Sequence, residues 1–175
     1  MDILKTLSSI TTFVLDMDGV LTDGSLLISS NGEYQRTMDI KDGYALQHAI
    51  KSGYNVWIIT GSHSTAVEQR LQYLGVTHFY QNCKNKLQLL QQLATANNVL
   101  LSQCLYVGDD VPDTEVMQAV GLSCCPKDAA PDVLEIANYI TTQPGGKGCV
   151  RHIIEKTMKL QQKWQSDTEK GLVSI

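Results

Sequence analysis

Thr12-Phe13-Val14-Leu15-Asp16-Met17-Asp18-Gly19-Val20-Leu21-Thr22-Asp23-Gly24 opens as an apolar run and closes in carboxylates and glycines. Thr12 to Leu15 is short and ends at a turn signal, which is how a strand buried on both faces of a parallel sheet reads. Runs of the same kind recur at Asn55 to Ile59, His78 to Tyr80, Cys104 to Val107, Leu122 to Cys124 and Tyr139 to Thr141. Helical patterns fall between them at Gly43 to Ser52, Thr65 to Leu74 and Pro112 to Val120. Gly53, Gly75 and Gly121 follow these helices, where left-handed C-terminal caps are expected. Strand and helix in alternation with short connections specify an α/β fold, a Rossmann-like parallel sheet flanked by helices. One segment breaks the alternation. Over about 25–40, Asn31-Gly32 separates the strand-like Leu-Leu-Ile-Ser and Tyr-Gln-Arg-Thr-Met, a type I′ signal for a protruding β-hairpin.

The 175 residues suit a single domain spanning 1–175, with a polar tail over about 165–175. A formal charge of −4 without a basic block points away from nucleic acid and from anionic membranes. The N-terminal Met-Asp-Ile-Leu-Lys-Thr-Leu lacks a basic segment followed by a long apolar one, so a cytoplasmic protein is expected. Cys83, Cys104, Cys124, Cys125 and Cys149 form no C-x-x-C pair, which disfavours a zinc site and a disulfide framework.

The chemistry gathers where the strands end. Asp16 and Asp18 follow the first strand, at the carboxyl edge where open α/β sheets bind ligands. One carboxylate there can attack phosphorus while the other protonates a leaving oxygen, and a magnesium ion offsets their mutual repulsion. Alone, D-x-D-G reads equally well as an Asp-rich turn. The second major strand ends at Thr60-Gly61-Ser62, whose hydroxyls and amides can hold a phosphoryl oxygen. Lys86 follows the third, where an ammonium can neutralise a transferring phosphoryl group. Asp109 and Asp110 end the fourth, with Asp113 one turn on, and adjacent acids at the end of a buried strand call for a cation between them.

Asp16-Met17-Asp18-Gly19, Ile59-Thr60-Gly61, Lys86 and Gly108-Asp109-Asp110 resemble, in order and spacing, the four motifs of the haloacid dehalogenase superfamily. That resemblance implies catalysis through a phosphorylated Asp16, with Asp18 as acid and base and Thr60 and Lys86 on the phosphoryl group. It implies magnesium on Asp16, the Asp18 carbonyl and Asp109, with Asp110 reaching the ion through water. More closely, the chain resembles the cap-less phosphatases that act on 3-deoxy-D-manno-octulosonate 8-phosphate (KDO 8-phosphate). The hairpin, Lys41-Asp42-Gly43, Arg70 and Gly145-Gly146-Lys147-Gly148-Cys149-Val150-Arg151 carry this likeness. The stretch between Asp16 and Thr60 also leaves no room for a cap domain. The family implies substrate contacts at Asp18, Lys41, Asp42, Gly43, Gly61, His63, Arg70, Lys86, Asp113 and Lys147. It also implies a homotetramer in which Gly171 to Ile175 reaches a neighbouring site. Ser62-His63 stand where family members often carry an arginine, which leaves nine-carbon sugar-acid 9-phosphates (KDN or N-acetylneuraminate) as alternative substrates. A phospho-accepting receiver domain combines similar residues, but its acidic pair ends the first strand and its acceptor the third. The order here is the reverse.

Overall fold

The computed structural model describes residues 2–30, 32 and 34–164. β1 (Thr12–Leu15), β4 (Asn55–Ile59), β5 (His78–Tyr80), β6 (Cys104–Val107), β7 (Leu122–Cys125) and β8 (Tyr139–Ile140) form a six-stranded sheet in the order β5-β4-β1-β6-β7-β8. Every pairing in it is parallel. The separate two-stranded sheet is the antiparallel pair β2 (Leu27–Ile28) and β3 (Tyr34–Gln35).

Successive side chains of a strand point to opposite faces, and the two cores divide accordingly. Phe13, Leu15, Val56, Ile58, Leu105 and Val107 pack on one face against α1 (Ile3–Ser9), α2 (Ile40–Lys51), α3 (Thr65–Tyr73) and α7 (Cys149–Leu160). Val14, Trp57, Ile59, Cys104 and Tyr106 face α4 (Lys86–Ala96), α5 (Thr114–Ala119) and α6 (Pro131–Ile136) on the other. Both faces being covered explains why the strands read as unbroken apolar runs.

β1 lies between β4 and β6, with Leu15 level with Ile58 on one side and Val107 on the other. From β1 the chain builds outward through β4 to β5, then crosses to β6 and builds the opposite way. The switch point therefore falls between the carboxyl ends of β1 and β6, which is where such sheets open a crevice. Asp16 continues the ladder into this crevice, its N–H donating to Val107 O at 3.0 Å.

Three details depart from the sequence reading. α2 begins at Ile40 rather than Gly43, because the Asp39 carboxylate accepts from Lys41 N at 2.6 Å and starts the helix a turn earlier. Gly53 and Gly75 take positive φ as expected, but Gly121 does not. A Cβ on Gly121 would stand 2.0 Å from Ser102 O, so that glycine answers a close backbone approach and not a cap. The hairpin ladder is also shorter than Leu-Leu-Ile-Ser and Tyr-Gln-Arg-Thr-Met suggest. Arg36 and Thr37 leave it to bond Asp18 and Asp23, and only the bridge Thr22–Met38 continues the pairing. Asn31 of the type I′ signal and residues 165–175 of the tail lie outside the described residues. Among those described, the hairpin alone intervenes between the β1 loop and α2, and no cap domain is present.

Candidate active site

Asp16 is 7% exposed and receives the Lys86 ammonium on Oδ1 at 2.8 Å. Lys86 opens α4, with Asn85 as its N-cap accepting from Gln88 N, and so is delivered by a helix start rather than a mobile loop. The same Nζ donates to Asp113 Oδ1 at 2.7 Å. Tyr106, buried within β6, donates its hydroxyl to that oxygen at 2.7 Å. Asp113 Oδ2 accepts from the amides of Asp109 at 3.1 Å and Asp110 at 3.4 Å. Asp18 is held by Arg36, with Nε to Oδ1 at 2.6 Å and Nη2 to Oδ2 at 3.1 Å, and the Thr22 hydroxyl adds 3.3 Å to Oδ1. Thr60 is 1% exposed, and its hydroxyl accepts from Ser62 N at 3.1 Å.

These groups line one cavity of about 390 Å³, shared by Asp16, Asp18, Thr60, Gly61, Ser62, Lys86, Asp109, Asp110 and Asp113. All of it lies at the carboxyl edge of the sheet. Burial pushes Asp109 up to about 7, helped by the charges of Asp16, Asp113 and Asp110 and opposed by Lys86. Asp16 is pushed up to about 6, by burial and then by Asp113, again against Lys86. Burial acts the same way on Asp18, but bonds from Arg36, Ser62 and Thr22 and the Arg36 charge outweigh it, so its carboxyl lies below its ordinary value. Lys86 loses from burial and gains more from Asp16 and Asp113, ending above the ordinary lysine value.

Carboxylate oxygens of Asp16, Asp109 and Asp113 lie within 4.8 Å of one another. A hard divalent cation suits such a set, since oxygen ligands and a deficit of positive charge are what it requires. Asp113 is the poorest ligand of the three, because four donors already occupy its oxygens. Asp16 and Asp109 therefore fit as the metal-holding pair. Asp110 stands outside the cluster and caps Val111 N at 2.8 Å while still lining the cavity.

The other sequence-derived contacts divide. His63 and Arg70 line a second cavity of about 650 Å³ with Tyr34, Arg36 and Met38 of the hairpin side. Lys147 is drawn to Asp23 at 3.4 Å, and Lys41 is exposed on the first turn of α2 without lining either cavity. Three expected substrate contacts are engaged within the protein itself. Asp42 is 1% exposed and accepts from Gly148 N at 3.2 Å and Arg151 N at 2.6 Å, capping α7 from within the core. Gly43 is buried, and a Cβ there would press on Arg70 Nη2 at 3.2 Å and Leu74 at 3.3 Å, so it serves the contact of α2 with α3. Asp113, 1% exposed, is spent on Lys86 and Tyr106. Sequence reasoning missed Arg36 and Tyr106, which read only as strand residues.

Three comparisons bear on this geometry. The family model for haloacid dehalogenase-like hydrolases matches residues 79–153. The 3-deoxy-D-manno-octulosonate 8-phosphate phosphatase of Escherichia coli K12 is 38% identical over 162 residues, 93% of this chain and 86% of that protein. The chain belongs to the 3-deoxy-D-manno-octulosonate 8-phosphate phosphatase family of haloacid dehalogenase-like hydrolases. Solved structures agree. The Yersinia pestis phosphatase superposes with a TM-score of 0.91 at 33% identity, covering 99% of this chain and 91% of that one. The Moraxella catarrhalis phosphatase, solved with magnesium, phosphate and KDO, gives 0.89 at 34% identity over 92% of each chain. Membership of this phosphatase family agrees with the order of the acidic residues along the chain, which argues against a receiver.

Proposed function

We propose that this chain is a magnesium-dependent phosphomonoesterase that converts KDO 8-phosphate to KDO and phosphate through a phosphorylated Asp16. The observation that carries the reading is the junction of Asp16, Lys86 and Asp109 in one cavity, in a chain alike over 92% of its length to a phosphatase holding magnesium, phosphate and KDO. Asp16 attacks phosphorus, and the bond to the sugar oxygen breaks as Asp18, which first takes up a proton from the bound phosphate monoanion or from solvent, passes it to that oxygen. Water then attacks the phosphorylated Asp16, loses its proton to Asp18, and phosphate leaves with Asp16 and Asp18 restored. Lys86, the Thr60 hydroxyl and the amides after β4 hold the phosphoryl oxygens as charge shifts among them. Asp16 and Asp109 would hold magnesium, which would lower the repulsion between the attacking carboxylate and the phosphate.

The sugar acid brings a second anion, and His63 and Arg70 beside the hairpin are its proposed partners, with Lys41 and Lys147 from the neighbouring loops. The reading includes a homotetramer assembled through the hairpin. Leu26, Leu27, Ile28 and Tyr34 are 47%, 65%, 69% and 57% exposed there, and pairing with another chain would cover such apolar side chains. Residues 171–175 would then serve an adjacent site. No described helix is long and apolar enough to cross a membrane, and cytoplasmic work on a soluble sugar phosphate fits that.

The test is phosphate release from KDO 8-phosphate, KDN 9-phosphate, N-acetylneuraminate 9-phosphate and p-nitrophenyl phosphate, with magnesium and with a chelator. KDO 8-phosphate should give the highest kcat/KM, and the chelator should abolish turnover. A higher kcat/KM on either nine-carbon substrate would reassign the substrate, and turnover of none would overturn the reading.

A further inference from the structure

The ion pair of Asp18 and Arg36 links the linings of the two cavities. Asp18 lines the one that holds Asp16, and Arg36 lines the one that holds His63 and Arg70. The guanidinium meets the carboxylate as a fork, at 2.6 Å and 3.1 Å. This planar, doubly charge-assisted arrangement is the strong form of the contact. The Arg36 side chain is only 5% exposed, so water offers little replacement for the carboxylate. Both oxygens of Asp18 thereby accept from the hairpin, with Thr22 and Ser62 adding bonds from the other side. To serve the leaving oxygen and then the attacking water, Asp18 has to let go of at least one arm of the fork.

A buried guanidinium gives up its carboxylate at heavy cost unless another anion takes the place. The second cavity offers that place. Among the described residues its lining contains no acidic side chain, while Arg36, His63 and Arg70 all border it. We infer that Arg36 determines specificity by exchange: it holds Asp18 until the carboxylate of a sugar-acid phosphate takes its place on the guanidinium. A substrate with a second anion frees Asp18 for chemistry, whereas a phosphate monoester without one leaves the fork closed. This exchange rests on the proposed roles of Asp18 and of the sugar-acid substrate, and it adds a reason why the enzyme should prefer substrates carrying a carboxylate.

Two measurements test it. Arg36→Met keeps the buried stem and removes the charge. Its kcat/KM on KDO 8-phosphate should fall about tenfold or more, the scale of one lost charge-assisted bond. On glucose 6-phosphate, which has the same type of alcohol leaving group and no carboxylate, the rate should rise. A fall on both substrates, or no change on glucose 6-phosphate, overturns the exchange. The second measurement needs no turnover. KDO binding by calorimetry should tighten in Asp18→Asn, where the competing charge is gone, and weaken in Arg36→Met. Binding that is unchanged or weaker in Asp18→Asn refutes competition for the guanidinium, whatever becomes of the first variant's folding. Wild-type turnover of KDO 8-phosphate, measured alongside, reports on the proposed function separately: its absence sinks that reading, whereas the variant ratios judge only Arg36.

Discussion

Lys86→Met tests the centre of the site, because it removes a charge while nearly preserving shape. The Lys86 and Asp16 side chains are each 9% exposed and Asp113 is 2% exposed. The ammonium sits 2.8 Å from one carboxylate and 2.7 Å from the other. Hydrogen bonds to charged groups contribute about 1.5–3 kcal/mol each. Breaking a buried ion pair by removing one partner costs about 3–5 kcal/mol, because the remaining charge is stranded. Here two carboxylates are stranded side by side, and the upper part of that range applies. Against a total stability of roughly 5–15 kcal/mol, the variant should fold and be visibly weakened.

The pH dependence separates this cause from a simple packing defect. A carboxylate whose folded pKa is raised contributes stability below its unfolded value, and that contribution is lost as pH rises through the folded value. Asp16 already stands at about 6 with the lysine present. Without it, Asp16 must rise further, so a proton can replace the missing cation in mild acid but not at pH 8. Urea denaturation of metal-free protein at pH 8 and at pH 5.5 should therefore show a large deficit at the first and a smaller one at the second. Turnover should fall about 10²- to 10³-fold, the usual loss when a donor to developing charge is removed. A deficit below about 1 kcal/mol at pH 8, or one that does not shrink on acidification, would refute the argument that Lys86 screens Asp16 from Asp113.

Three further outcomes are expected. Gly19→Ala forces a side chain at φ +83° and puts its Cβ 1.9 Å from Asp109 Oδ2; magnesium affinity should drop about 10- to 100-fold by calorimetry, as when metal ligands lose their orientation. Since Asp109 stands at about 7 and Asp16 at about 6, protons compete with the ion at both. The rise in melting temperature on adding magnesium should accordingly be small at pH 5.5 and large at pH 8, and a flat profile would place the ion elsewhere. Gly121→Ala, blocked by Ser102 O at 2.0 Å, should cost about 1–3 kcal/mol in denaturation while leaving kcat unchanged at temperatures where it is folded.

The sheet was legible because its central strands are buried on both faces, so β1, β4, β6 and β7 stood out as apolar runs and their last residues pointed to one edge. What the sequence concealed was side-chain direction. Asp42 and Asp113 lie in acidic segments beside functional motifs, yet their carboxylates turn inward to cap α7 and to hold Lys86. Gly121 carries the same signal whether it caps a helix or admits a neighbouring backbone. Arg36 was invisible for a different reason: its partner lies far away in sequence, and inside an alternating hairpin an arginine reads as a solvent-facing residue. Tyr106 was hidden by its apolar neighbours in β6, although a buried phenol needs an acceptor and the acids just beyond that strand were the nearest supply.

The loop that carries Asp18 is braced from three directions, and this explains why residues remote in sequence bear on one carboxylate. From β6, Asp109 packs against Gly19 closely enough to exclude any side chain there. From the C-terminal segment, Gly145 approaches Gly19 O so closely that its own Cβ would stand 1.8 Å away, and Gly146 N donates to Val20 O at 2.9 Å. The Gly-Gly-Lys-Gly signature thus acts on the Asp18 loop through backbone contact, with Lys147 adding its pair to Asp23. From the hairpin, Arg36 takes Asp18, the Thr37 hydroxyl donates to Asp23 at 2.9 Å, and Met38 bridges Thr22. Two of these braces are close backbone approaches that admit no Cβ at Gly19 or Gly145. The hairpin is the third, and among the described residues its ladder is only β2 and β3. A ligand that engages Arg36 of the hairpin would therefore act on Asp18 before it acts on Asp16.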